Sequence, residues 1–538
     1  MGSIPGDPES ISQDAHSYSL CCGLKERLLF AALIVVCLVP VWAVDYLPTV
    51  DGPCHVYNAQ VILQHDNRAE FPRFAGHYRI DWRPIPNWFG QAVLALLMAV
   101  FEPRIAEKIL VSGYVILLPV AARYAAGSVD PDRKWLGFLV FPLIYNQLFQ
   151  LGFYNFCYSL AFWLLAVGFW WRRRESPTLG FAVAINLLLL LCWFCHIVSL
   201  AVTLLSIGVL WIATLRRENW RRHLIHIPIL APQIILPLWF VADQQGGPIP
   251  SPWPLGAMAG YLLRLEALFY FGAPQLWIGR ALALTILVLL ILTVAGRLRR
   301  AEGGRLVREE DGFLVLSAVL ALLFFVSPQG MSGGGLLNQR LSLYSWLALI
   351  PWLAPRLGQT GRAVAVGVLT VLALGSTGYV LRWYRELDPH LRTYLAATAQ
   401  IRRDSRVLPL LFDRGPYGMY AHLIGYVAAE KGLIDWNNYQ AATTYFPTRF
   451  HGKRGRTHRY TWIEADPDTI DVRALIPRVD YFYAWGLRPD SPAARRLRRH
   501  YRLVYQAGPA RLYVPIRRNS LRPGARSDLS GGTSQRDL

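Results

Sequence analysis

Charge is scarce in this chain. Asp, Glu, Lys and Arg together make up 17% of its 538 residues, against roughly 25% in soluble domains. A deficit of that size excludes most soluble enzymes, and the apolar content excludes a disordered chain. Lysine is nearly missing, with five residues, so the basic side chains are almost all Arg. No cysteine follows Cys195, so no disulfide framework holds the C-terminal third; the seven cysteines are Cys21, Cys22, Cys37, Cys54, Cys157, Cys192 and Cys195. The chain has no phosphate-binding P-loop, no dinucleotide fingerprint and no H-E-x-x-H zinc motif. Few charged residues fall deep inside apolar runs, which weighs against an ion-coupled transporter.

What is abundant is apolar sequence. Hydrophobic residues make up 54%, and mean hydropathy is +0.28. Runs near the roughly 20 residues of a bilayer crossing recur along the chain. The expected fold is therefore an all-α polytopic membrane bundle of about 11–13 spans, with a C-terminal extracytoplasmic α/β domain. Net charge is +20. In a membrane protein that excess is loop Arg obeying the positive-inside rule, so the partner it implies is the lipid bilayer and not nucleic acid.

Residues 1–22 are polar and read as a disordered N-terminus. Lys25 and Arg27 then precede an apolar stretch over 28–47, an uncleaved first span rather than a signal peptide, because no small-residue cleavage site follows. Later spans are expected near 105–125, 134–150, 153–171, 178–195, 197–215, 222–241, 277–296, 312–327, 336–355 and 362–382. The short basic loops (Arg133 and Lys134; Arg172 to Arg174; Arg216 to Arg222; Arg297 to Arg308; Arg356 and Arg362) then alternate onto one side. This parity holds only if the short apolar segment 87–101 enters from outside without crossing. Residues 23–383 thus form a transmembrane module with a long outward loop, 48–86, and residues 384–516 form the extracytoplasmic domain. Residues 517–538 read as a disordered tail.

The domain after the last span carries α/β signals. Helices are expected over 391–403 and 491–500, and strands over 407–412, 479–484 and 511–515, each a short apolar run bounded by Gly, Pro or Asp.

Several outward segments carry chemistry. The first loop opens with Asp51-Gly52-Pro53-Cys54-His55, an acid just beyond the membrane and an imidazole about one helical turn later. A carboxylate there can deprotonate an acceptor hydroxyl; the plainer alternative is a helix N-cap. The same loop ends with Arg79, Asp81, Trp82 and Arg83, which read either as a headgroup anchor or as a phosphate-binding, sugar-stacking rim. Asn146 and Asn155 flank a hairpin tip, where amides either satisfy backbone or bind sugar. Cys192-Trp193-Phe194-Cys195-His196 fits the haem-attachment pattern, but an apolar span is a poor setting for haem; His196 alone is the better site candidate. Gly330 to Gly334 fits G-x-S-x-G without the strand–turn–helix that motif needs. Beyond it, Gln339 and Arg340 stand where the next span begins, and an Arg there either snorkels to headgroups or clamps a phosphate.

An acid in a long first outward loop resembles the GT-C superfamily of membrane glycosyltransferases, and Asp51 to His55 resembles the D-x-P-x-H variant of uncharacterised bacterial members. Gly152-Phe153-Tyr154-Asn155-Phe156 and the stretch Gly335 to Leu341 are also similar to patches in those proteins. The resemblance implies an inverting-type transferase in the inner (plasma) membrane, using a polyprenyl-phosphate sugar donor and a lipid or glycan acceptor on the non-cytoplasmic side. It implies Asp51 as general base, with His55 orienting it or bonding the donor phosphate. Arg340, with Arg79 or Arg83, would neutralise the leaving phosphate. Asp81, Asn146, Asn155, His196 and Gln339 would line the substrate pocket, and Tyr- and Trp-bearing segments of the C-terminal domain would hold the acceptor. Many members carry a second acid in the second outward loop. Here that loop offers only Asn and Gln, so Asp81, Glu266 and Asp45 are the substitutes, and no metal or cofactor is expected. The alternative is a non-catalytic protein that binds or translocates lipid-linked glycans.

Overall fold

The computed structural model describes residues 8–244, 247–299, 307–331, 334–452 and 470–516. It is a helical bundle joined to a C-terminal sheet domain. Most expected spans appear as single helices: Pro103–Val129, Tyr154–Arg173, Leu179–Cys195, Ile197–Thr214, Ala273–Leu298, Asp311–Val326 and Leu337–Trp352. Four helices, Pro103–Val129, Ile197–Thr214, Ala273–Leu298 and the one beginning at Gln359, are long and apolar enough to cross a bilayer. The bent pair Trp220–Leu230 and Pro232–Ala242 would make a fifth. By that measure the described residues hold fewer spans than the expected 11–13. Leu179–Cys195 and Asp311–Val326 are shorter apolar helices, and Tyr154–Arg173 and Leu337–Trp352 carry Tyr, Trp, Ser and Arg.

Three expectations need correcting. The first helix, Pro8–Trp42, reaches back well before the apolar stretch. The helix thus begins before the apolar stretch rather than at it, while residues 1–7 and the tail 517–538 lie outside the described residues. The expected span 134–150 is a 3-10 helix, Pro131–Leu143, followed by a turn and the short helix Gln147–Gln150. At about 2 Å rise per residue its 13 residues reach about 26 Å, so the tighter winding nearly covers the hydrocarbon thickness with few residues. The expected span 222–241 is broken by 42°; Pro232 cannot donate to the preceding turn and clashes with it.

The segment 87–101 yields the helix Trp88–Met98, whose 11 residues reach about 16 Å, half of a bilayer core. At the other extreme, Gln359–Ala396 has 38 residues, about 57 Å, and runs on past the bundle into the C-terminal domain.

The basic loops meet at one end of the bundle. Arg133 pairs with Glu310, Arg174 and Arg216 share Glu309, and Arg297 pairs with both Glu310 and Asp311. Glu26 joins Arg123 to Arg362. Arginines nearly 240 positions apart thus share one acid, and the basic loops gather at one end as the charge pattern predicts.

Among the described residues nine strands build three sheets. In the C-terminal domain, β4 (Arg406–Leu411) lies between parallel neighbours β5 (Ile434–Asp435) and β7 (Tyr481–Trp485), and β9 (Ala510–Pro515) joins β7 to the edge strand β8 (Tyr501–Ala507), both antiparallel. The strands expected from apolar runs are β4, β7 and β9. The helix Pro492–His500 starts where expected, with Ser491 accepting from the Ala494 amide. A small sheet pairs β2 (Pro248–Ile249) with β3 (Gly330–Met331), the start of the G-x-S-x-G stretch; Ser332 itself lies outside the described residues. The third sheet positions the site. In it, β1 (Tyr78–Ile80) of the first outward loop pairs antiparallel with β6 (Thr448–Phe450) of the C-terminal domain.

That pairing belongs to a wider seam. The Tyr57 hydroxyl donates to the Leu433 carbonyl (2.6 Å), and Asn58 and Asn438 exchange amide hydrogen bonds. Gly425 sits so tightly on the helix Gly52–Gln64 that a Cβ there would lie 2.4 Å from the Pro53 carbonyl oxygen. The outward loop and the C-terminal domain are one packed body.

Candidate active site

Asp51 ends the irregular segment after the first helix and stands at the N-cap of Gly52–Gln64, with Pro53 in the first turn. Its carboxylate caps nothing: no amide of that helix donates to it. The backbone is fixed instead by the hairpin tip, with the amides of Val50 and Asp51 donating to the carbonyls of Gln150 and Leu151. Gly152 completes the contact at φ +82°, where a Cβ would lie 2.7 Å from the amide nitrogens of Asp51 and Gly52. Both the left-handed backbone and the close approach require glycine.

With its backbone held this way, the Asp51 side chain faces the C-terminal domain. It is 7% exposed. The Tyr439 hydroxyl donates to Oδ2 at 2.7 Å, and Nε2 of His422 lies 3.6 Å from Oδ1. Burial pushes the Asp51 carboxyl up to about 7, against the opposing pull of the Tyr439 hydrogen bond and the Arg340 charge. Burial also drives the His422 imidazole down to about 3. The His422–Asp51 contact is therefore a neutral imidazole facing a carboxyl, not an ion pair. Tyr270 and Tyr445 are near enough for the Asp51 charge to raise their hydroxyls further.

Arg340 enters from the first turn of Leu337–Trp352. Its guanidinium lies between the rings of Phe153 and Phe156, 4.9 Å from each centroid, an arrangement that favours a cation. It is 7% exposed. Nε makes one long bond, 3.4 Å to the Gly335 carbonyl, and Nη1 has no partner among the described residues. Tyr439 and Tyr445 neighbour it as they neighbour Asp51. A buried guanidinium with an orphaned donor is costly unless an anion completes it. A phosphate suits the planar fork.

The remaining expected residues divide. His196 lies beside this group, its ring against Phe156 and its Nδ1 accepting from the Val198 amide. Gln339 is buried, and its Oε1 has no partner among the described residues. His55 does not face Asp51: Nε2 donates to the Gly152 carbonyl (3.1 Å) and Nδ1 accepts from Gln440 (3.1 Å), with burial holding the ring near 4 and so neutral. It braces the hairpin tip. Asn146 is fully used as a helix cap, accepting from Leu148 and Phe149 and donating to Leu143 and Tyr114. Asn155 holds the start of Trp88–Met98, accepting from the Gly90 amide and donating to the Asn87 carbonyl. Asp81 is clasped by Arg83 and Arg449, which hold its carboxyl below the usual range. Arg83 also reaches Asp243 and covers Trp239, and Arg79 is exposed on β1. Asp81, Arg83, Asp243 and Arg449 thus form one ion-pair cluster, apart from the Asp51 and Arg340 contacts. Glu266 pairs with Arg264, and Asp45 with Arg392. Among the described residues no three His, Cys, Asp or Glu side chains converge as a metal set.

Four site groups escape sequence reasoning: His422, Tyr439, Gln440 and Tyr445, all from the C-terminal domain. A fifth, Glu107, lies behind Gly52, where a Cβ would come 2.4 Å from its Oε1. The available signal for Glu107 is an acid in a helix whose remaining charges, Arg104, Lys108 and Arg123, are all basic, and an acid in a membrane helix marks a functional candidate by default.

No protein-family model and no curated protein sequence matches this chain. Among solved structures it is similar to ArnT from Cupriavidus metallidurans bound to undecaprenyl phosphate, with a TM-score of 0.53 over 90% of this chain and 97% of that one, at 12% identity. The likeness covers most of both chains, so this chain has an ArnT-like fold, and its long apolar helices suit a bilayer.

Proposed function

We propose that this protein is a membrane glycosyltransferase of the GT-C kind, moving a sugar from a polyprenyl-phosphate donor to an acceptor hydroxyl on the non-cytoplasmic side. The observation that carries the reading is Arg340: a buried cation held between two phenylalanines, with an orphaned Nη1, next to a buried acid that makes no helix cap. The fold shared with ArnT, solved with undecaprenyl phosphate bound, supports a polyprenyl-phosphate ligand.

In this reading Asp51 takes the proton of the acceptor hydroxyl. The acceptor oxygen bonds to the anomeric carbon as the bond from that carbon to the phosphate oxygen breaks, and the polyprenyl phosphate departs with the electron pair. Arg340 neutralises the departing phosphate, a charge that grows in the transition state. Tyr439 fixes which Asp51 oxygen is free to accept. Around them Tyr270, Tyr445 and Phe446 offer faces for a sugar ring.

Binding of undecaprenyl phosphate to the purified protein separates the two roles. Arg340→Ala should weaken it at least tenfold, in line with the roughly 1.5–3 kcal/mol of a charged hydrogen bond, while Asp51→Asn should leave it near wild type. Equal binding by wild type and Arg340→Ala would overturn the phosphate assignment.

A further inference from the structure

The buried Glu107 joins the three parts that make the site. Its Oε1 accepts from the Tyr154 hydroxyl (2.8 Å), which is also bonded to Thr49 Oγ1 at 2.6 Å. Its Oε2 accepts from the Tyr426 hydroxyl. Thr49 belongs to the segment leading into Asp51. Tyr154 lies between Phe153 and Phe156, the two residues that hold Arg340. Tyr426 is on Ile424–Lys431 of the C-terminal domain, one turn after His422. Gly52 rests directly on this cluster: a Cβ there would lie 2.3 Å from Thr49 Oγ1, 2.4 Å from Glu107 Oε1 and 2.6 Å from the Tyr154 hydroxyl. Glu107 is 1% exposed. Burying a carboxyl group is costly unless it is hydrogen-bonded, and here the hydrogen bonds come from two different parts of the molecule.

We infer that Glu107 is a positioning residue: by accepting from Tyr154 and Tyr426 together, it docks the C-terminal domain onto the Asp51 loop and sets His422 and Tyr439 against the Asp51 carboxylate. This rests on the transferase reading for its catalytic consequence, but not for the docking itself. Glutamine at 107 keeps the size yet offers one carbonyl oxygen where two carboxylate oxygens accept, so one tyrosine loses its acceptor. Arg340 makes no hydrogen bond to Glu107 or Tyr426 among the described residues, and Phe153 and Phe156 keep their place on Tyr154–Arg173 and its N-cap, so donor affinity should survive.

The test uses full-length protein in lipid nanodiscs, with Glu107→Gln, Tyr426→Phe and Asp51→Asn beside wild type. Amide hydrogen exchange over 422–440 should quicken at least tenfold in Glu107→Gln and Tyr426→Phe, and kcat should fall at least tenfold with donor KM within twofold. Asp51→Asn should lose transfer with wild-type exchange. Wild-type exchange and kcat in both Glu107→Gln and Tyr426→Phe would overturn the inference, as would a raised KM at unchanged kcat. Should Glu107→Gln not fold, Tyr426→Phe, which loses a single hydroxyl, decides alone. If Asp51→Asn retains transfer, the transferase reading fails while the exchange data still judge the docking role.

Discussion

Asp51 takes a proton only when ionised, and burial brings its carboxyl to about 7. Below that pH the neutral acid dominates. The transfer rate is therefore expected to climb with pH through about 7 and then level off, as a pH profile of kcat/KM would show; a profile flat from pH 5 to 8 would remove Asp51 as the base. Arg340→Lys is expected to lose most activity even though the charge is kept. A lysine ammonium cannot lie as a plane between Phe153 and Phe156 or offer a two-pronged donor, so the expected loss is tenfold or more in kcat/KM. Asp51 is legible in the sequence because it follows an apolar run at the membrane boundary, and Arg340 because it begins another. Tyr439 is not, since its bond to Asp51 spans 388 positions. His55 misleads for a related reason. Helical spacing does bring it near Asp51 in the chain, but Gly152 and Gln440 turn its ring to other partners.

At the scale of elements, the site depends on how closely the hairpin tip and the helix Ile424–Lys431 approach the Asp51 turn. Two glycines set those distances. Gly152→Ala meets both a positive φ and two backbone nitrogens at 2.7 Å, so it should lower Tm by several degrees and cut activity, read by thermal unfolding alongside turnover. Gly425→Val would push against the Pro53 carbonyl and is expected to separate the C-terminal domain from the loop, seen as faster proteolysis between residues 432 and 447. Most helices are legible from hydropathy. The 3-10 helix Pro131–Leu143 is not: apolar content looks the same in either helix type, and its winding depends on how it packs, almost wholly buried, against Pro103–Val129 and Gln359–Ala396. The seam pairing β1 with β6 is equally invisible, because three-residue strands from opposite ends of the chain carry no local signal.

For the molecule as a whole, one end gathers the basic loops around Glu309, Glu310 and Asp311, and the other joins the outward loop to the C-terminal domain. By the charge rule the first end is expected to face the cytoplasm. Cysteines introduced at exposed Arg172 and Arg488 should then label from opposite sides of intact cells, position 488 reacting with an impermeant maleimide and position 172 only after permeabilisation. The reverse pattern would invert the topology and place Asp51 on the wrong side for its donor.

The most direct measurement is glycan and glycolipid mass spectrometry on a strain lacking this protein, complemented at equal membrane levels with wild type or Asp51→Asn. The account predicts that wild type alone restores a missing sugar mass, which would also identify the class of sugar moved. Equal restoration by Asp51→Asn would contradict it, and would leave binding or translocation of lipid-linked glycans as the function of the Arg340 site.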